Sequence, residues 1–343
     1  MKVLIVKTSS LGDVLHTLPA LTDAMEARPD IRFDWVVEEA FAEIPAWHPA
    51  VGRVIPVALR RWRKHPLQAF RSGEWGRFRD ALRADSYAKI IDAQGLLKSA
   101  VLTRMARGTR CGPDRASARE SLAALAYQER YAIPKGQLAI ERLRQLFAAA
   151  LNYEAPAKAA DYGIRRAPPS SGRLSDKVVF VHGTTWSSKL WPDEYWMRLA
   201  QLANGAGLGV RLPWGGAREL ERAQQIAEAA KNAEILPKMD LAQIAQVLTS
   251  ARGVVGIDTG LTYLAIALGV PTAVLYGATR PVFTEMPGQG QRYIRADFGC
   301  SPCMARTCSY RGGSVVQPAC YQSVPPDMVW RAARELFDAH RRP

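Results

Sequence analysis

Short apolar runs, each closed by a polar turn and followed by a segment of helical period, recur along the whole chain. "KVLIV" predicts a strand over Lys2–Val6, and the segment from Asp13 to about Ala27 predicts a helix. "RFDWVVEEA" and "RVIPVAL" read as the next two strands, and "RRWRKH" opens an Arg-rich, helix-like stretch to about Arg83. "YAKIIDAQG" is strand then turn, with "LLKSAVLTRMA" as the following helix. From Lys177 the alternation restarts: strands in "KVVFVHGTT", "VRLPWGG", "AEILP", "GVVGIDTG" and "PTAVLYGAT" alternate with helices in "WPDEYWMRLAQLANGAG", "ARELERAQQIAEAAK", "DLAQIAQVLTSA" and "LTYLAIALG".

Strands alternating with helices predict parallel βαβ units, and two such series predict two Rossmann-like, doubly wound α/β domains. The Pro-, Ala-, Gly- and Ser-rich end of "EAPAKAADYGIRRAPPSSGRLSD" sets a linker at 161–176. It divides an N-terminal domain, 1–160, from a second over 177–325. A terminal helix, 326–343, is expected to pack back on the first domain. Ligands of open parallel sheets bind beyond the carboxyl ends of the strands, so a central cleft between the two domains is the expected site.

Composition changes this picture in three ways. The chain has 343 residues, 48% apolar and 23% charged, as in a globular protein, with no run long enough to span a bilayer. The apolar start is too short for a signal peptide, which points to a cytoplasmic protein. The net charge is +14, and residues 53–119 hold 16 Lys or Arg against 5 Asp or Glu. That surplus points to an anionic partner: nucleic acid, an acidic membrane surface, or a phosphorylated or carboxylated substrate. A basic surface serving solubility is the plainer alternative. Finally, Cys300, Cys303, Cys308 and Cys320 are spaced C-x2-C-x4-C-x11-C. Reduced structural thiols are the first reading, a zinc site the second and a labile disulfide the third.

Candidate chemistry lies in the turns after strands. Asp13 follows Gly12 where the first strand hands over to a helix, and it reads either as a helix cap or as a proton acceptor. Thr184 and Thr185, with Lys189 just beyond, offer amides, hydroxyls and an ammonium suited to phosphate oxygens. Asp258, Thr259 and Gly260 form a second such turn, and the pair resembles a diphosphate cradle. Each turn alone also reads as an ordinary capped helix. Glu219 suits ribose hydroxyls or simply the N-terminal dipole of its helix. A nicotinamide dinucleotide is disfavoured, because "GAGLGV" lies between helix and strand, the reverse of the required context. "KTSSLGD" is not a Walker loop.

Taken together, "KTSSLGDVLHTLPAL", "RRWRK", "DAQGLLKSA", "SKLWPDEYW", "LPWG" and "GIDTGLTYLA" resemble the lipopolysaccharide heptosyltransferases over residues 1 to about 280. The resemblance implies a glycosyltransferase of the two-domain GT-B type. It implies inverting transfer of heptose from ADP-heptose to Kdo of Kdo-lipid A, with no metal or other cofactor. Asp13 then falls on the family's general base, and Thr184, Thr185, Lys189, Thr259 and Gly260 on its diphosphate positions. Asp258 is the acid of the D-T-G turn and orients donor hydroxyls. Glu219 matches the ribose-binding acid, and Met239 a residue beside the adenine.

Arg60, Arg61, Arg63, Lys64, Lys98 and Arg119 would meet the carboxylates and phosphates of the acceptor, with Gln94 bonding to it from the cleft. The same charges would hold the enzyme peripherally on the cytoplasmic face of an anionic inner membrane. Trp62 reads as a packed aromatic or as an interfacial one. Tyr263 departs from the histidine that often follows the D-T-G turn. The nearest rival is a later core heptosyltransferase or another core glycosyltransferase. A nucleic-acid-binding protein is disfavoured, because neither a stacking platform nor a reading helix can be placed.

Overall fold

The computed structural model describes residues 1–165, 175–281, 284–286 and 290–340. The chain divides into two compact units, Met1–Arg166 and Ala167–Pro343. Residues 166–174 of the expected linker lie outside the described ones.

In the first unit, strands β1 (Lys2–Val6), β2 (Arg32–Glu38), β3 (Val51–Val57), β4 (Ser86–Asp92), β5 (Arg107–Pro113) and β6 (Glu129–Tyr131) form one sheet. Their order is β3-β2-β1-β4-β5-β6, with every pairing parallel. Val3, Leu4, Ile5 and Val6 of the central strand are all fully buried. Such a strand is covered on both faces and reads as a continuous apolar run rather than an alternation.

In the second unit, β7 (Lys177–Val181), β8 (Gly209–Leu212), β9 (Ala233–Ile235), β10 (Gly253–Ile257), β11 (Thr272–Tyr276) and β12 (Gln291–Arg295) repeat the plan. Their order is β12-β11-β10-β7-β8-β9, again with every pairing parallel. In each sheet the first and fourth strands are neighbours. The chain leaves them in opposite directions, which opens the crevice where α/β sheets take ligands.

Three helical expectations need correction. The helix expected from Asp13 to Ala27 is two, Leu11–Leu15 and Leu18–Ala27, with Pro19 in the first turn of the second. The Arg-rich stretch is three short helices, Leu59–Lys64, Pro66–Arg71 and Glu74–Arg83. Pro66 and Gly73 (φ +71°) punctuate them. The terminal helix, Pro326–Ala339, was expected to pack on the first domain, but it commits its apolar face to the second sheet. Val329, Trp330, Ala333, Leu336 and Phe337 join Phe180, Trp191 and Trp196 in one core.

Candidate functional site

At the first crevice, Ser10 precedes the short helix Leu11–Leu15 and Asp13 is its third residue. The Oδ2 atom of Asp13 accepts from the Ser10 amide at 2.9 Å and the Ser10 hydroxyl at 3.0 Å. Oδ1 looks the other way, 3.8 Å from Lys7 Nζ and 3.7 Å from an Arg119 Nη1. One oxygen of the carboxylate thus caps the helix while the other faces two cations. Burial pushes this carboxyl up, but Lys7, Arg119 and the Ser10 amide more than offset that and hold it at about 2. Asp13 is therefore ionised at neutral pH.

Lys7, which the sequence reading did not single out, directly follows the central strand as a buried ammonium. It donates to the Ala93 carbonyl at 2.9 Å, and burial lowers its pKa despite Asp13. The visible signal was a lysine closing an otherwise apolar strand. Gln94, expected to bond to an acceptor, is buried, and its amide holds the loop after β1. Its Oε1 accepts from Thr8 N at 2.9 Å and Thr8 Oγ1 at 2.8 Å, and its Nε2 donates to Ser9 O at 3.2 Å. Gln94 is itself held in the turn after β4, where Asp92 Oδ1 accepts from the amides of Gln94 and Gly95. Gly95 has φ +66°, which a residue without Cβ adopts at little cost.

The first unit also holds a cavity of about 700 Å³, reached by Ser9 of the same loop and lined on its apolar side by Leu59, Trp62, Pro66, Ala69, Phe70 and Trp75. Ser9, Glu38, Arg60, Arg63 and Lys98 form its polar lining. Arg60 stacks over Phe41 at 5.5 Å, Lys98 donates to Ser9 Oγ at 3.2 Å, and Lys64 is exposed. Arg61 does not join them. Its half-exposed guanidinium pairs with Glu39 (3.0 Å) and Glu74 (2.8 Å). Trp62 is the packed aromatic: its Nε1 donates to Glu74 at 2.8 Å and its ring meets Trp75 and Phe78 edge-on.

The second crevice opens between β7 and β10. Thr184 is half-buried and Thr185 exposed just after β7, with Lys189 closing the turn Ser187–Lys189. Lys189 Nζ lies 2.7 Å from Asp258 Oδ2 and 4.8 Å above the Trp186 ring. Asp258, expected to orient donor hydroxyls, is buried and pairs with Lys189. It also accepts from Thr279 Oγ1 at 2.5 Å and from the Tyr263 hydroxyl. These contacts fix the carboxylate beside the ammonium of Lys189. Burial, then the Asp258 charge, push the Tyr263 phenol far above its usual range, so it stays a donor.

Thr259 and Gly260 open the helix Gly260–Ala267, with Thr259 in extended conformation and no side-chain cap on the first amides. Glu219 stands in the first turn of Ala217–Glu228, with Oε2 accepting from Gly215 N at 2.7 Å. A Cβ at position 183 would collide with its carboxylate, which explains Gly183. Met239 is half-buried in the loop after β9.

The four clustered cysteines are free thiols: Cys300 and Cys303 exposed, Cys308 half-buried, Cys320 buried. Burial and its three neighbours push Cys320 up to about 12. Among the described residues no group of three or more His, Cys, Asp or Glu is arranged to hold a metal ion. The segment also buttresses the turn Ser187–Lys189. Ser188 donates from N to Arg306 O at 3.2 Å and from Oγ to Ala305 O at 2.5 Å, and Tyr321 donates to Lys189 O at 2.9 Å.

Comparison with known proteins places these features in company. Residues 75–313 match the family model of glycosyltransferase family 9 (heptosyltransferase). Lipopolysaccharide heptosyltransferase 1 of Pseudomonas aeruginosa is 52% identical over 344 residues, covering 96% of each chain. Among solved structures, E. coli heptosyltransferase WaaC with ADP superposes with a TM-score of 0.83 at 50% identity, over 87% of this chain and 94% of that one. The same E. coli protein with ADP-2-deoxy-2-fluoro heptose gives 0.80 at the same identity and coverage.

Proposed function

The chain belongs to glycosyltransferase family 9, the heptosyltransferases, and we propose that it transfers L-glycero-D-manno-heptose from ADP-heptose to Kdo of Kdo-lipid A. The first unit reads the acceptor and the second holds the donor. The observation that carries the chemistry is Asp13: one oxygen is fixed by Ser10, and the other is kept ionised by Lys7 and Arg119.

The acceptor hydroxyl passes its proton to Asp13 Oδ1 as its oxygen bonds to the anomeric carbon of the heptose. The bond from that carbon to the diphosphate breaks on the opposite face, and its electron pair leaves with ADP. One displacement of this kind inverts the centre. Lys189, aimed by Asp258, meets the charge that gathers on the diphosphate, with the amides at Thr184, Thr185, Thr259 and Gly260. Glu219 is suited to ribose hydroxyls, and Met239 to the edge of the adenine. Arg60, Arg63, Lys64, Lys98 and Arg119 suit the carboxylates and phosphates of the acceptor. Arg119, beside Asp13, thereby ties acceptor binding to the base. No metal ion enters this scheme. Peripheral association with the cytoplasmic face of an anionic inner membrane completes the reading.

The test is heptosyl transfer from ADP-heptose, with Kdo-lipid A and its heptosylated product offered separately. Transfer to Kdo-lipid A, reduced about 10²–10⁴-fold in Asp13→Ala while ADP still binds, is the expected result. Transfer only to the heptosylated acceptor would make this a later core enzyme.

A further inference from the structure

Six of the nine large apolar side chains that stand exposed among the described residues fall between positions 67 and 125. That span lies within or next to the one that carries the basic surplus. Four of them form a ridge. The helix Leu97–Met105 packs against the 3₁₀ segment Ser121–Ala126, and their contact is made of small residues: Ala100 with Ala123, Ala124 and Ala126, closed by Tyr127. The Leu97 amide donates to Glu120 at 2.6 Å and the Glu120 amide to Gly95 O at 3.0 Å, so the pairing is fixed at its start.

The outcome inverts the usual preference. The alanines are buried, while Leu97, Val101, Leu122 and Leu125 point outward, between 48% and 59% exposed. Turning leucines inward would bury more apolar area, so an outward set joined across two elements marks a surface with a partner. On the helix, Leu97, Val101 and Arg104 follow each other at i, i+4 and i+7, and so share one face. Lys98 and Arg119 lie alongside in sequence. Phe70, from the neighbouring helix Pro66–Arg71, lines the same cavity as Lys98.

We propose that this ridge, with its rim of Lys98, Arg104 and Arg119, is the face that inserts into an anionic bilayer surface. The proposal rests on the acceptor reading above, since a lipid acceptor has to be met where it lies. An apolar ridge edged by cations matches a bilayer, which offers hydrocarbon beneath an anionic headgroup layer. The cationic rim selects a partner whose outer layer is anionic, and the lipid acceptor places such a layer at this face. The ridge makes surface attachment partly apolar, and hence partly resistant to salt.

The test is co-sedimentation of the full chain with vesicles of phosphatidylcholine, with and without phosphatidylglycerol, comparing wild type with the double variant Leu122→Gln/Leu125→Gln. Both positions are exposed, so folding should persist, and thermal melting checks that. Wild type should bind the anionic vesicles and keep part of that binding at about 1 M salt, where the Debye length is only about 3 Å. The variant should partition roughly tenfold less or weaker still, and lose the salt-resistant part. Equal partitioning of the two proteins, or failure of wild type to bind, would overturn the proposal. So would a concentration-dependent dimer that the variant abolishes while vesicle binding is unchanged. Transfer to a water-soluble, deacylated acceptor is measured in parallel and should be the same in both proteins. Its loss from both would count against the acceptor reading and leave the vesicle result to stand by itself.

Discussion

On the reading proposed above Asp13 has two tasks, capping and proton acceptance, and they separate by substitution. Asn at this position keeps an oxygen for the Ser10 amide but cannot take a proton. Asp13→Asn and Asp13→Ala should therefore lose turnover alike, while melting shows the Asn variant closer to wild type, within about 1 kcal/mol. The charge environment makes a pH prediction. With Asp13 held at about 2, kcat/KM of wild type should show no acid limb from this group between about pH 5 and 8. Lys7→Met removes a lowering charge, so the carboxyl rises and an acid limb should move upward toward that window. In stability the sign is that of a depressed carboxylate. Its contribution is complete above the unfolded value of about 3.9 and is lost as pH falls through about 2. At the second crevice, Lys189→Ala should weaken ADP binding by tenfold or more. Asp258→Asn should weaken it less, because it misdirects the ammonium without removing it, and calorimetry with ADP distinguishes the two.

At the scale of elements, the unread parts have physical causes. The central strands were legible because burial on both faces leaves unbroken apolar runs. β5, "RGTRCGP", carries three charged or hydroxyl side chains and two glycines, and β6 has only three residues. β12, "QRYIR", sits at the sheet edge with polar residues outward. Edge strands hold their place through one neighbour's hydrogen bonds rather than through a burial pattern. The helix Ala139–Leu151 has a plain apolar period in Ile140, Leu143, Phe147 and Leu151, but its long-range anchor, a buried ion pair, is not legible locally. Arg144 donates to Asp23 at 2.6 Å from 121 residues away, and also to the carbonyls of Pro156 and Lys158. Arg144→Ala should destabilise the first unit by about 3–5 kcal/mol, read by denaturant unfolding, because Asp23 is left buried and unpaired. In the site the residue types were legible at Asp13 and Lys189, and the partners were not. Gln94, Asp258 and Arg61 have the chemistry of ligand contacts, and each is also held by partners of this chain. Only three-dimensional neighbours such as Thr8, Tyr263 and Glu74 show this.

The whole molecule is built twice on one strand order, with each copy folding around its own hydrophobic centre and bringing its own crevice. On the reading proposed above, Asp13 and the acceptor-facing cations belong to one copy, and Lys189 with Asp258 to the other. Such a division would let inheritance act on the halves separately. On that reading, changes in the cavity lined by Arg60, Arg63 and Lys98 redirect which lipid-linked sugar is accepted without disturbing the Lys189–Asp258 pair. A library confined to the lining of that cavity would then be the economical route to new acceptors, with the second copy left as inherited.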